Sequence, residues 1–517
     1  MNWELVTPFV GYLIVLMIIG TLALGKTKTY GMFFIAGRKL HILATALSAQ
    51  ATDMSAWLTI GLPGQAFLNG IGTIWVGIGC SLGTLLNWSG LAQRLRIYTG
   101  KLGSFTIPDF LESRYKDDTR ILRLVSSILI LVFMTAFIGA VAKGGAKAVE
   151  AATGIDFFWA LVVTYLIILF YTFAGGFWAV AWTDVFQAIL MIIILVVMPI
   201  VGIFALRDMG GIFHAINQLD PSMLDPVGDL SGVAALSFVL GYFAWIVGYP
   251  GQPHIVTRFM AVEDPRKLRR PGSIIGMLWV LIALWGAVAL GIVGAAYFHG
   301  GLADPEMVTP ELAKALLPLP LAGCVIAAIM AAMMSTVDSQ LLVATSAMVQ
   351  DILVKLIKPT IKQENLLKIA RIGTIVIAAI SFYAGMSGSK FVYWAVSFAW
   401  GCSAATFGPL LLISVWWKKA TKAGAIAGLI IGAIGDISFE YMGIKPLGAP
   451  AYFTWFFITA AIIIAVSLLT KPPEKVDREF EEIFRFEPIA ESESKIQKIK
   501  ARAKTEFDVV ESFYIKA

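Results

Sequence analysis

Residues 46–65 read ALSAQATDMSAWLTIGLPGQ, an apolar run that holds one carboxylate, Asp53, together with Gly61, Pro63 and Gly64. An ionised aspartate in the middle of a membrane-spanning helix costs about 2.5–3.5 kcal/mol on insertion scales, so it is rare unless it is paired or faces a wet cavity. Whether this run spans a membrane decides the fold, and composition answers first. The 517-residue chain is 58% hydrophobic and only 14% charged, with a mean hydropathy of +0.80, which is membrane-protein composition.

A spanning helix needs about 20 mostly apolar residues. Thirteen such runs occur, near 6–25, 44–69, 73–97, 124–146, 156–176, 182–205, 232–260, 272–298, 313–350, 372–387, 391–416, 423–440 and 449–470. The first follows Glu4 rather than a basic segment and has no small-residue cleavage site before Lys26, which predicts an uncleaved helix and no signal peptide. Of the 40 Lys and Arg residues, 34 fall in alternate segments, namely 26–43, 94–123, 258–270, 355–371, 418–422 and the tail from 471. Cytoplasmic loops retain positive charge, so the expected topology has the N-terminus outside and the C-terminus inside. The net charge of +6 is thereby accounted for and calls for no nucleic-acid partner. The charged tail, 471–517, reads as a surface helix or a disordered end.

Three cysteines in apolar spans, Cys80, Cys324 and Cys402, form no CxxC pair and are expected to be buried small residues. Four scattered histidines make no HExxH motif, and no nucleophile and base pair is evident. An enzyme is therefore not expected.

Two spans are interrupted, the second within the opening stretch and the seventh at GYPGQPH (248–254), where Pro250 and Pro253 lack an N–H. Non-helical backbone at membrane depth is tolerated only where it is buried in protein or lines a cavity. Breaks five spans apart, skipping the first helix, are what inverted five-helix repeats give, and such breaks offer carbonyls to cations and helix N-termini to anionic groups.

ALSAQATDMSAWLTIGLPG, GGFWAVAWTDVFQA (175–188), GYPGQPHIVTRFMA (248–261) and MMSTVDSQLL (333–342) together resemble the sodium/solute symporter family, most closely its sodium/proline symporters, over roughly residues 6–470. The resemblance implies an all-α membrane protein of the leucine-transporter type with about 13 transmembrane helices. Residues 1–43 would supply an extra N-terminal helix and loop, 44–206 and 207–416 the two five-helix repeats, 417–470 two C-terminal helices and 471–517 a cytoplasmic tail.

The resemblance further implies a sodium site built from carbonyls of Ala51, Met54 and Ala332 and hydroxyls of Ser335 and Thr336. Oxygen ligands of this kind suit a hard alkali cation; the alternative for the two hydroxyls is back-bonding within their own helix. Asp53 is tied to sodium binding by the same likeness, either near the ion or holding the unwound segment open, and the alternative is a capping role. Substrate contacts are implied at Ser55, Trp57, Trp245, Tyr249 and Pro253, an aromatic enclosure suited to a pyrrolidine ring. Two departures bear on substrate identity: Phe137 stands where proline symporters have tyrosine, and Ala56 where they commonly have glycine.

Some members hold a second sodium through an aspartate corresponding to Asp184. Here Ser335, Asp338 and Ser339 share one helical face at i, i+3 and i+4, so the two carboxylates would repel without a cation or proton between them. The alternative places Asp338 at the cytoplasmic mouth, paired with a basic loop residue. Lys143 is expected to snorkel at the outer interface, the alternative being a charge facing the cavity. Gly424, Gly428 and Gly432 read as a helix-packing stripe. The whole describes a plasma-membrane symporter carrying an amino acid, L-proline foremost, with co-transported sodium and no obligate protein partner. Another amino acid, pantothenate, a sugar, or a transporter-like sensor are the alternatives.

Overall fold

The computed structural model describes residues 3–24, 35–357, 361, 363–387, 391–472, 476 and 478–482. The tail expected from 471 onward therefore lies mostly outside the described residues. The principal helices are α1 (Trp3–Leu24), α2 (Ile42–Ala56), α3 (Leu62–Asn69), α4 (Ile74–Leu86), α5 (Ile121–Thr153), α6 (Phe157–Ala205), α7 (Gly232–Phe243) and α8 (Pro253–Ala261). They continue with α9 (Ser273–Phe298), α10 (Leu319–Ser346), α11 (Gln363–Met386), α12 (Val392–Trp416), α13 (Lys422–Tyr441) and α14 (Ala451–Leu468). Among the described residues no strand forms, and one isolated backbone bridge joins Leu40 to Val262.

Nine helical stretches among the described residues are long and apolar enough to cross a membrane, and three more, Trp3–Ile19, Phe157–Leu169 and Gly232–Val247, are apolar but shorter. The longest stretch, Ile42–Leu102, turns at Gly70, whose φ of +58° suits glycine. Gly176 (φ +58°) likewise kinks α6. Burial ranks the helices: 83% of the apolar window is buried in the stretches containing α10 and α12, against 33% for α11 and 28% for α14. The first two form the centre. On α11, exposed Ile372, Ile375, Val376, Ile380 and Tyr383 recur at helical spacing, an apolar stripe left uncovered by the rest of the chain, as on a membrane-facing helix.

The break in the opening stretch falls at Ser55, with φ +38° and ψ −166°, rather than at the glycines and proline that follow it. Residues 57–69 stay helical, a wide turn over Trp57–Gly61 running into α3, and the Thr59 carbonyl that Pro63 cannot bond accepts from Thr309 Oγ1 at 2.6 Å. Gly61 and Gly64 serve close approach instead. A Cβ at 61 would lie 3.1 Å from the Tyr393 backbone N, and one at 64 would lie 2.9 Å from Glu306. The second break falls where expected: α7 gives way to short turns over Ala244–Val247 and Tyr249–Gly251 before α8 begins at Pro253.

Basic residues counted as cytoplasmic also hold helix ends. Arg114 Nε donates to the Ser414 carbonyl at 2.9 Å, and a second nitrogen to Trp417 at 3.2 Å, satisfying the last turn of α12. Arg123 bonds Asp109 at 2.6 Å, Asp351 at 2.5 Å and Glu112. Cys80 and Cys402 are buried as expected, whereas Cys324 is exposed on the outer surface of α10.

The glycine stripe packs α13 against α14, since a Cβ at Gly424, Gly428 or Gly432 would meet Ser467, Ile463 or Thr459 at 2.2, 2.3 and 2.5 Å. Gly428→Leu is expected to force these helices apart at a cost of about 1–3 kcal/mol. The thermal unfolding midpoint in detergent reads this, with exposed Ile430→Leu as the control that leaves it unmoved.

Candidate functional site

The unwound turn of α2 crosses α10 at the centre of the molecule, and their polar groups interlock. Ser335 Oγ donates to the Ala51 carbonyl at 2.9 Å and lies 3.0 Å from the Ala332 carbonyl. Thr336 Oγ1 donates to the Thr52 carbonyl at 2.8 Å. Four of the five expected sodium-site residues thus meet. The Met54 carbonyl accepts the Trp57 N–H, which Ser55 Oγ also accepts at 3.3 Å, so Ser55 caps the restarted helix. The hydroxyls reach across to another helix as well as back along their own.

Asp53 is buried and makes no salt bridge among the described residues; its Oδ1 accepts the Trp400 indole N–H at 3.4 Å. Trp400 belongs to an aromatic cluster over both breaks. Trp57 and Trp245 stack at 4.7 Å, Trp245 and Trp400 tilt at 4.7 Å, and Tyr249 meets Trp400 edge-on at 5.7 Å. Each such pair contributes about 0.5–1.5 kcal/mol beyond area burial. Gly248 makes the approach feasible, because a Cβ there would fall 1.7 Å from the Trp400 ring. Gly144 accommodates Ala56 in the same way, with 2.2 Å between the two Cβ positions. Phe137 lies edge-on to His254 at 5.6 Å, and neither ring nitrogen of that buried histidine has a hydrogen-bond partner. Pro253 lines a cavity of about 390 Å³, open solvent included, that extends to Phe105 and Thr106.

Beside the residues expected to hold sodium, the structure departs from expectation. Arg258, counted as a loop charge, is buried inside α8 and donates to Asp184 Oδ2 at 3.0 Å, to Ser48 Oγ at 2.9 Å and to Ser339 Oγ. Ser48 Oγ donates to the same Asp184 oxygen at 2.6 Å, and Thr52 Oγ1 donates to it at 3.2 Å. Asp338 is buried too, accepting from Ser339 Oγ at 3.2 Å, while its Oδ2 and Asp184 Oδ1 have no partner. Asp338 therefore makes no pair with a loop residue among those described. Four helices, α2, α6, α8 and α10, are tied here.

At the opposite end, Lys147 Nζ bonds Asp304 at 2.7 Å and Glu306 at 2.6 Å. Glu306 also accepts the backbone N–H groups of Val392 and Tyr393 at 2.8 and 2.9 Å, capping α12. Lys143 is buried, with Nζ donating at 3.0 Å to the carbonyl of Ser387, an exposed residue just past the end of α11.

Residues 33–432 match the model of the Sodium:solute symporter family. The chain belongs to that family. The High-affinity proline transporter PutP of Bacillus subtilis (strain 168) is 36% identical over 464 residues, covering 89% of this chain and 97% of that protein. The Sodium/proline symporter of Escherichia coli (strain K12) is 37% identical over 477 residues, covering 91% and 94%. A Na+-coupled sialic acid symporter in its substrate-bound outward-open state shares the fold, with TM-score 0.76 and 21% identity over 91% of this chain and 99% of that one. A nucleobase-cation-symport-1 family transporter in a closed conformation aligns at TM-score 0.51 and 14% identity over 87% and 98%. As a sodium:solute symporter the chain is a multi-pass membrane transporter and no enzyme, and sodium is its co-transported ion.

Sequence reasoning missed Arg258, Trp400 and His254. Arg258 and His254 stand in a quoted motif and are one helical turn apart, a spacing that carries a signal; Trp400 is one of fifteen tryptophans and carries none. Arg258→Ala would leave Asp184 buried beside no cation, and a loss of about 3–5 kcal/mol is expected. The joint replacement Arg258→Met with Asp184→Leu should recover most of it. Denaturation in detergent compares the two, and equal losses would refute the pairing.

Proposed function

We propose that the chain imports L-proline together with sodium by alternating access. The relatives that carry this reading are named as proline transporters and align over nearly their whole length. The same reading takes Ile42–Leu102 as two spans, which with the other eight long stretches and the three shorter ones makes thirteen. It keeps the N-terminus outside, the C-terminus inside, and inverted repeats at 44–206 and 207–416 flanked by 1–43, 417–470 and 471–517.

Sodium is assigned to Ala51, Met54, Ala332, Ser335 and Thr336. A hydroxyl that donates to a carbonyl can turn its hydrogen away and present a lone pair when a cation enters beside it, so the Ser335 to Ala51 bond is the observation on which this assignment rests. Coupling then follows from chain continuity. Ala51 and Met54 flank Asp53, and the same unwound turn continues into Ser55, Ala56 and Trp57, so an ion that orders the turn also sets the substrate contacts. Asp53 holds the turn to Trp400 and through it to the aromatic enclosure.

The substrate is assigned to Ser55, Ala56, Trp57, Phe137, Trp245, Tyr249 and Pro253. Trp57 and Trp245 are in direct contact, so a pyrrolidine ring enters as the pair separates. His254 beside Phe137 offers a polar group near the place of the tyrosine hydroxyl found in other proline symporters. The cavity from Pro253 to Thr106 is the inner path, and the Lys147, Asp304 and Glu306 cluster is the outer seal.

A second, weaker cation is assigned to Asp184, Asp338 and Ser339, because Arg258 pairs with Asp184 while, among the described residues, no basic side chain pairs with Asp338, and each of these buried carboxylates retains an unpartnered oxygen. One sodium driven by a tenfold gradient and 100 mV supplies about 3.7 kcal/mol, and a second doubles it.

In proteoliposomes, L-proline uptake should require an inward sodium gradient; equal uptake from a pH gradient in sodium-free buffer would overturn the coupling. Trp245→Ala should raise the apparent substrate constant about tenfold, or about 1.4 kcal/mol, with little change in sodium dependence. Reversal potentials should give more than one sodium per substrate, falling in Asp338→Ala. A one-to-one ratio that this change leaves untouched would reject the second site.

A further inference from the structure

The last residues that the structure describes fold back onto the end of the molecule assigned to the cytoplasm. Residues 478–482 are helical, and Val476 and Phe480, one helical turn apart, are each only 2% exposed. Phe480 meets the Tyr98 ring edge-on at 5.9 Å, and the Arg114 guanidinium lies 4.9 Å from the centre of the Phe480 ring. Three polar ties surround this plug. Tyr98 Oη donates to Glu479 at 3.3 Å, Lys116 Nζ bonds Glu479 at 2.6 Å, and Lys101 pairs with Glu482.

The partners of the segment fall on both sides of one loop. Tyr98 and Lys101 belong to the helix Gln93–Leu102, Arg114 to the helix Ile107–Tyr115, and Lys116 caps the latter. Between these helices lie Phe105 and Thr106, which line one side of the inner cavity, with Pro253 and Ser346 on the other. Widening the cavity there means moving the loop, and the loop cannot move far without the helices at its two ends. The segment bridges both helices. Through Arg114, which also donates to the Ser414 and Trp417 carbonyls, the bridge reaches the end of α12.

The strength of the bridge is divided. One ring is fully buried, but the ion pairs are partly in water, with Lys116 40% and Glu482 52% exposed, and pairs of that kind hold weakly and are screened by salt. Such a contact can form and release within a transport cycle, which a helix of the bundle cannot do.

We propose that residues 476–482 are a latch that holds the inner mouth closed and lets go when the mouth opens inward. This rests on the reading of the chain as an alternating-access importer with its C-terminus inside.

The full chain in lipid nanodiscs tests it through thiol labelling of the cavity wall. Ser346, 8% exposed, is replaced as Ser346→Cys in a Cys324→Ser background, where the two remaining cysteines are buried. Phe480→Ala should speed its reaction with a charged methanethiosulfonate about tenfold, equivalent to about 1.4 kcal/mol, and Lys116→Glu should speed it too. Adding Glu479→Lys to Lys116→Glu should slow it again, which a damaged fold would not do. A rate that either single replacement leaves unchanged overturns the latch, as does a fast Lys116→Glu chain that the second replacement leaves fast. If Phe480→Ala quickens labelling and the charge exchange reverses it, while the wild type takes up no L-proline under a sodium gradient, the transport reading falls and the latch stands.

Discussion

A helix that stops bonding to itself inside a membrane must find partners in the protein, and the rest of this structure follows from how two such breaks are satisfied. At the first, Ser55 adopts a left-handed conformation unusual for a residue with a side chain, and the carbonyls just before it accept hydroxyl protons from α10. At the second, Gln252 donates its side-chain amide to the carbonyls of Gly248 and Trp400 at 3.3 and 2.9 Å, and Asn87 donates to the Tyr249 carbonyl at 3.3 Å. Neither break is held by local bonds alone. Each is held by helices from elsewhere in the chain, so any change at a break is transmitted to them.

Charge is handled at the two ends by different means. On the Arg258 side, a guanidinium and a carboxylate are fully buried together and span four helices. Removing one partner there is far costlier than removing both, since the expense of the pair lies in its desolvation. On the Lys147 side, Glu306 is shared between an ammonium group and the first N–H groups of α12, a position where the helix dipole already favours negative charge. The first arrangement fixes helices side by side; the second pins the end of one helix beneath a loop. Both act on helices that also carry the aromatic cluster. Tyr393, whose N–H Glu306 accepts, stands 6.0 Å from Trp245, and Arg258 lies one turn along α8 from His254.

The sequence by itself determined the class of the protein, because lipid leaves few choices. A run of apolar residues long enough to cross has to be helical, and the charges flanking such runs are visible without coordinates. Interruption of the second and seventh spans was legible for the same reason, as was the glycine stripe of α13, where regular spacing on a straight helix is itself geometric information. Position within the break was not legible. Gly61, Pro63 and Gly64 look like breakers, yet Thr309 satisfies the carbonyl that Pro63 frees and the glycines admit neighbouring backbone, while the turn falls at Ser55. Only tertiary structure decided that Arg258 is an interior cation and no loop charge, that Lys143 is buried, and that Trp400 is the partner of Asp53. Each of these pairs residues at least 70 positions apart in the chain, or turns on which face of a helix meets its neighbours. Local spacing records periodicity along one helix, and it holds no record of which other helix packs against that face.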